Sequence, residues 1–214
     1  MRVERLGVVA AGVVGVALVV SGCSSADNSH DMSAMTTSTS TPAPASAGDA
    51  PAQAHNDADV AFAQGMIPHH RQAIEMADVV LAKQDIDPRV VTLANAIKAA
   101  QGPEIDQMQG WLNDWGVSAP PSDSAMPGMP GHDMGTTGEG MMTEQDMAAL
   151  RDAQGAEASK LFLTQMIEHH NGAITMAQTE IDTGQFPAAV ALAQSIVTAQ
   201  QQEIATMREI ADSL

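Results

Sequence analysis

From residue 57 to 115, and again from 143 to 212, apolar residues return at three- and four-residue steps and do not alternate with polar ones. That period predicts helices, each with one apolar stripe turned toward a core. Ala, Gln, Glu and Met dominate both stretches, so the helical backbone costs little. The punctuation agrees. Asn56 with Asp59, and Thr143 with Asp146, suit N-terminal capping pairs, and Asp87 precedes Pro88, a residue suited to a first helical turn. Gly116 and Gly184 can supply the left-handed residue that closes a helix. The expected helices therefore span 57–84, 88–115, 143–183 and 187–212. Pro68 falls inside the first, where it removes a hydrogen bond and should bend the axis close to His69. Strands have no support: Tyr is absent, Phe and Trp number 3 and 2, and no alternating run is bounded by turns. The expected fold class is all-α, a four-helix bundle made of two short-looped hairpins. Trp111 and Trp115 are expected to cap one end of its core.

The two hairpins are copies of one unit. Displacing the chain by one hundred positions sets Phe62, Met66, Ile67, His69 and His70 on Phe162, Met166, Ile167, His169 and His170. Ala73, Ile74, Met76 and Ala77 then fall on Ala173, Ile174, Met176 and Ala177. After a one-residue deletion, Pro88, Val91, Leu93, Ile97, Gln101, Glu104, Ile105 and Met108 match Pro187, Val190, Leu192, Ile196, Gln200, Glu203, Ile204 and Met207. Such self-similarity marks an internal repeat.

The repeat carries chemistry. At about 100° per residue, Phe62, Met66, His69, Ala73 and Met76 share one stripe, with His70 along its edge. Met66, His69, His70 and Met76 can thus meet on neighbouring turns, and Met166, His169, His170 and Met176 repeat the set. Glu104 with Met108, and Glu203 with Met207, form a further pair on each partner helix; the glutamates can orient the histidines, bind an ion directly, or stand as solvated charges. Imidazoles in an apolar stripe are costly without partners, and a coordinated ion supplies them. Imidazole with thioether is a soft donor set that favours copper(I) and its mimic silver(I) over oxygen-seeking cations. The plain alternative is core packing: Met commonly fills gaps, His commonly finds an ordinary hydrogen bond, and duplication copies a structural motif as faithfully as a binding one. Arg71, Asp78, Lys83 and Glu180 read as an exposed face without a role.

Outside the helices the composition changes. Arg2 and Arg5 precede an apolar run that ends at Val20-Ser21-Gly22-Cys23, the layout of an export signal closing in a bacterial lipobox. Cys23, the chain's one cysteine, is the expected lipidation site. The expected organisation is a lipoprotein signal peptide at 1–22, a disordered tether at 23–55, hairpins at 56–116 and 143–214, and a Met/Gly/Pro-rich linker at 117–142. Met is unusual in such a linker because no core needs filling there, and Met129, His132 and Met134 read equally as a mobile, low-affinity capture arm for the same soft ion or as a flexible linker with incidental methionine. The formal charge of −17 disfavours nucleic acid, and no organic cofactor is expected.

The run Asp59-x-x-Phe62-x-x-x-Met66-Ile67-Pro68-His69-His70-x-x-Ala73-Ile74-x-Met76-Ala77 resembles the bacterial domain-of-unknown-function family numbered 305, which includes CopM-like copper-binding proteins. The resemblance covers most of residues 59–211. It implies a ferritin-like helical architecture, export, and copper(I) or silver(I) held by Met66, His69, His70, Met76, Met166, His169, His170 and Met176. The second copy departs from the pattern, with Ser159 in place of Asp59 and Glu168 in place of Pro68.

Three functions are weighed on these residues. The first is a non-enzymatic, lipid-anchored binder on the extracytoplasmic face of the membrane that sequesters or delivers copper, with a copper-handling protein as an expected partner. The second is an interaction module whose histidines are hydrogen-bonded within the core. The third is a ferritin-like metal-dependent oxidase, disfavoured because no Glu is followed by His three positions later.

Overall fold

A computed structural model of the chain describes residues 54–118 and 139–214. The signal, Cys23, nearly all of the tether, and linker residues Met129, His132 and Met134 lie outside the described residues. Asn56 begins the first helix, α1 (Asp57–Leu81), through a capping box: its side chain accepts the Ala58 and Asp59 amides while the Asp59 carboxylate accepts its own N–H. Asp87 caps the second helix, α2 (Pro88–Asp114), with proline in the first turn as the sequence suggests. Gly116 closes it at φ +70, the left-handed conformation that glycine adopts without strain.

The expected third helix is two helices. Thr143 and Asp146 form the second capping box and start α3 (Glu144–Asp152), but Ala153 and Gln154 are extended and Gly155 takes φ +53 before α4 (Gly155–Thr183) begins. A lone glycine within a helical pattern is normally tolerated at a modest cost, so the sequence does not announce this break. The last helix, α5 (Pro187–Asp212), runs as expected. The first ends at Leu81, short of 84, and Asp85 adopts φ +58 in the loop that follows. Gly184 is extended (φ −67, ψ 154), and the expected left-handed closure is absent. Space explains this glycine: a Cβ there would lie 2.7 Å from the backbone carbonyl oxygen of Glu180. α1 continues as one helix through Pro68, and α2 through Pro103.

The result is the all-α, four-helix architecture expected from the pattern, with α3 as a short addition and no strand among the described residues. α1 packs chiefly on α2 and α4 on α5, which are the two repeated hairpins. They join through α1 and α4, whereas α2 and α5 touch little. α1 and α4 run antiparallel, since Asp59 bonds the Phe186 amide just beyond α4, the position of Gly65 meets Met176, and His69 meets His169. Two apolar clusters fill the interior, one around Phe162, Leu163 and Ile97, the other around Phe62, Ile67 and Ile196. Each such side chain contributes roughly 2 kcal/mol when fully buried. Trp111 and Trp115 close the end of the second cluster, both edge-on to Phe186, and His55 stacks on Trp115. No described helix is long and apolar enough to cross a membrane.

Candidate metal centre

The repeat places His69 and His169 at the same level of antiparallel α1 and α4, and their rings meet with centroids 3.7 Å apart. His170 follows at 6.5 Å from His169. All four histidines of the two motifs are buried, none more than 1% exposed. Burial is the largest reason that the His69 imidazolium is disfavoured, its pKa pushed down to about 3; the neighbouring histidines add to this and the Glu139 carbonyl opposes it. His169 is held well below the usual range by burial and then by the three surrounding imidazoles. Both rings are therefore neutral near pH 7.

Their hydrogen bonds fix which nitrogen carries the hydrogen. His70 Nε2 donates to Glu104 Oε2 at 2.7 Å, and His170 Nε2 donates to Glu203 Oε2 at 2.6 Å. A carboxylate only accepts, so the hydrogen sits on Nε2. His69 Nε2 likewise donates to the Glu139 carbonyl at 3.2 Å. In each ring Nδ1 is left buried and without a hydrogen-bond partner, and in His169 both nitrogens are. Glu104 and Glu203 thus act on the histidines. Gln101 and Gln200, three residues before the glutamates, are also buried, with their side-chain carbonyl oxygens unpartnered.

The thioethers surround this seam in an order that single-helix spacing does not show. Met66 and Met108 lie in one apolar cluster, against which Met176 packs, while Met76, Met166 and Met207 lie in the other. The two methionines of one motif therefore fall on opposite sides of the histidines. Each side draws on both repeats: a Cβ on Gly65, next to Met66, would come 3.5 Å from Met176 Sδ. All six are fully buried except Met176, which is partly so. Among the described residues no three His, Cys, Asp or Glu side chains are gathered as a metal-binding group. An ion held here needs the thioethers as well.

Three features were not found from the sequence. The last linker residues cross the seam: Gln72 grips the Met142 backbone at both ends, its Nε2 donating to the carbonyl at 2.8 Å and its Oε1 accepting the amide at 2.7 Å. Gly172, the repeat equivalent of Gln72, makes room for that crossing, because a Cβ would stand 1.7 Å from the Glu139 carbonyl oxygen. The unmatched pair Gln72 and Gly172 in an otherwise matched run was the available signal. Met142 is correspondingly buried in the core, outside any mobile arm.

The third feature corrects the exposed-face assignment of Glu180, which is 1% exposed. Glu180 lies beside Asp59, itself fully buried. Burial, followed by the bond and charge of Asp59, pushes the Glu180 carboxyl up to about 8. Burial works in the same direction on Asp59, but the amides of Asn56, Phe186 and Gln185, together with Glu180, outweigh it and hold that group low. Neither oxygen of Glu180 accepts a hydrogen bond, and only as the neutral acid can it donate one to Asp59. Asp78 pairs with Lys98, and Lys83 donates to the Arg151 carbonyl.

The comparisons agree with this architecture. The crystal structure of a DUF305 protein from Streptomyces coelicolor is 33% identical, covering 72% of this chain and 91% of that one, with a TM-score of 0.62. A DUF305 fragment from Deinococcus radiodurans is 31% identical over 74% and 98%, with a TM-score of 0.63. CopM in its Cu(II)-bound form is 32% identical over 72% and 96%, with a TM-score of 0.58, and CopM is also known in Cu(I)-bound, silver-bound and apo forms. No curated protein matches. The family described as Domain of unknown function (DUF305) matches residues 59–211, and the chain belongs to it.

Proposed function

We propose that this protein is an extracytoplasmic, lipid-anchored binder of soft metal ions, copper(I) or silver(I), which it sequesters or delivers through the seam between its two repeats. The carrying observation is the set of four buried Nδ1 atoms without partners, three of them in rings whose Nε2–H is fixed by Glu104, Glu203 or the Glu139 carbonyl. A metal-binding histidine characteristically donates its other N–H to a carboxylate or a carbonyl, which sets the tautomer and aims the lone pair. The neutral rings of His69 and His169 and the buried thioethers present lone pairs without negative charge, a donor set suited to a polarisable monovalent ion. His69, His169 and the flanking thioethers would hold it, with His70 and His170 at the margin. The bound forms of CopM, at 28–32% identity, support this reading.

Anchoring rests on Cys23 directly after the apolar run, and delivery rather than turnover on the absence of Glu-x-x-His. The test is to load the full chain anaerobically with Cu(I) and measure retained metal in the native protein and in a variant with His69, His70, His169 and His170 all changed to Ala. Loss of copper from the variant is expected. Equal retention would instead leave an interaction bundle as the better account.

A further inference from the structure

Histidines that are at most 1% exposed cannot receive an ion directly from solvent, so the binding reading requires a way in. One cavity meets that need. It has a volume of about 260 Å³, lies along the α1–α4 groove, and is lined by Ala58, Ala61, Phe62, Glu139, Met176, Thr179 and Glu180. Ala61 and Thr179 are exposed, so the cavity opens to water on that side. Two of its lining residues are tied to the seam: Met176, whose Sδ lies against Gly65 beside Met66, and Glu139, whose carbonyl holds His69. Glu180 lines the wall with both oxygens free of any donor.

The internal repeat shows the same corner closed without a carboxyl at this position. Asp59 accepts the Phe186 amide at 2.8 Å, and Ser159 Oγ accepts the equivalent Asp87 amide at 3.2 Å. A hydroxyl therefore suffices to fasten that corner in the second copy. There the position of Glu180 is taken by Val80, fully buried in the apolar cluster. The first copy therefore carries a carboxyl on the cavity wall where the second has an apolar side chain.

Resting on the copper-binding reading, we infer that this cavity is the ion's inlet, with the Glu180 carboxyl, which releases its proton to water as the ion arrives, and the Met176 thioether forming a two-donor station between solvent and the imidazole seam. One carboxyl and one thioether make a weaker set for a soft ion than the imidazoles and thioethers of the seam, yet they lower the cost of shedding its water. Passage then runs from an oxygen donor outward to sulfur and imidazole inward, toward the softer and more numerous set.

The test is stopped-flow loading of the full chain with Cu(I) from a chromophoric chelator, with copper per chain measured at the endpoint. Glu180→Gln keeps the shape and supplies an amide that can donate to Asp59. Ala61→Leu narrows the exposed mouth and alters no carboxylate, so it remains informative should the first variant fold poorly by far-UV circular dichroism. Both are expected to load about tenfold more slowly and to reach the native copper content. Loading at the native rate by either variant would overturn the inlet, as would a reduced endpoint in Glu180→Gln, which would make Glu180 a resident ligand. A native chain that retains no copper would overturn the binding reading itself.

Discussion

His69 and His169 stand one hundred positions apart in the chain and 3.7 Å apart, centroid to centroid, in the fold. Because each lies at the middle of its motif, the two motifs share a centre. A common site makes the first expected outcome non-additive: His169→Ala alone should abolish as much Cu(I) retention as the His69→Ala, His169→Ala pair. Copper per chain after anaerobic loading decides it, and a loss of half in each single variant would mean two independent sites.

Glu104 and Glu203 hold the outer imidazoles by their Nε2 hydrogens. Changing both to Gln keeps the volume but offers a weaker, uncharged acceptor and an amide that can turn the wrong way. Affinity for Cu(I) should fall by about 10- to 100-fold with the stoichiometry retained. A competition titration against a chelator of known affinity measures both quantities. Loss of a whole equivalent would show that the carboxylates bind the ion themselves.

What was legible in the sequence follows the repeat. The hairpins and the burial of His69, His70, His169 and His170 came from matched positions, where periodicity and duplication say the same thing twice, and the caps from local sequence at Asn56, Asp87 and Thr143. The misses fall where the copies differ: Glu180 against Val80, Gly172 against Gln72, and the break at Gly155. Glu180 and Gly172 each answer to a neighbour distant in sequence, Asp59 and Glu139, which only a mismatch between the copies hints at. The grouping of Met66 with Met176, and of Met76 with Met166, likewise required the antiparallel packing of α1 on α4.

The buried acids and bases make stability depend on pH in opposite directions. Glu180 has its folded pKa raised to about 8 from 4.5, so its stabilising contribution is complete below about pH 4.5 and is lost as pH rises through 8. His69 is lowered to about 3, so its contribution is complete above about 6.5 and is lost as pH falls toward 3. The metal-free protein should therefore be most stable at mildly acid pH. Glu180→Gln should remove the alkaline slope and leave the acid one. Urea midpoints between pH 4 and 9 test this, and an unchanged alkaline slope in the variant would assign it to another group.

Two helical glycines should respond to alanine with opposite signs. At Gly102, within α2, an added Cβ meets nothing within 4 Å, so Gly102→Ala should stabilise by about 0.5–1 kcal/mol through helix propensity and a less flexible unfolded chain. At Gly172 the same methyl would stand 1.7 Å from the Glu139 carbonyl oxygen, a backbone atom that no rotamer change can move. Gly172→Ala must push residues 139 and 140 off the helix, breaking the bond to His69 Nε2 and straining the Gln72 clamp on Met142. A loss of about 1–3 kcal/mol is expected, the usual range for overpacking. Thermal unfolding of the metal-free variants gives the signs. Should Gly172→Ala melt with or above the native protein, the crossing of the linker over the histidine seam would not be a fixed part of the fold, and the Glu139 carbonyl could not be what sets the His69 tautomer.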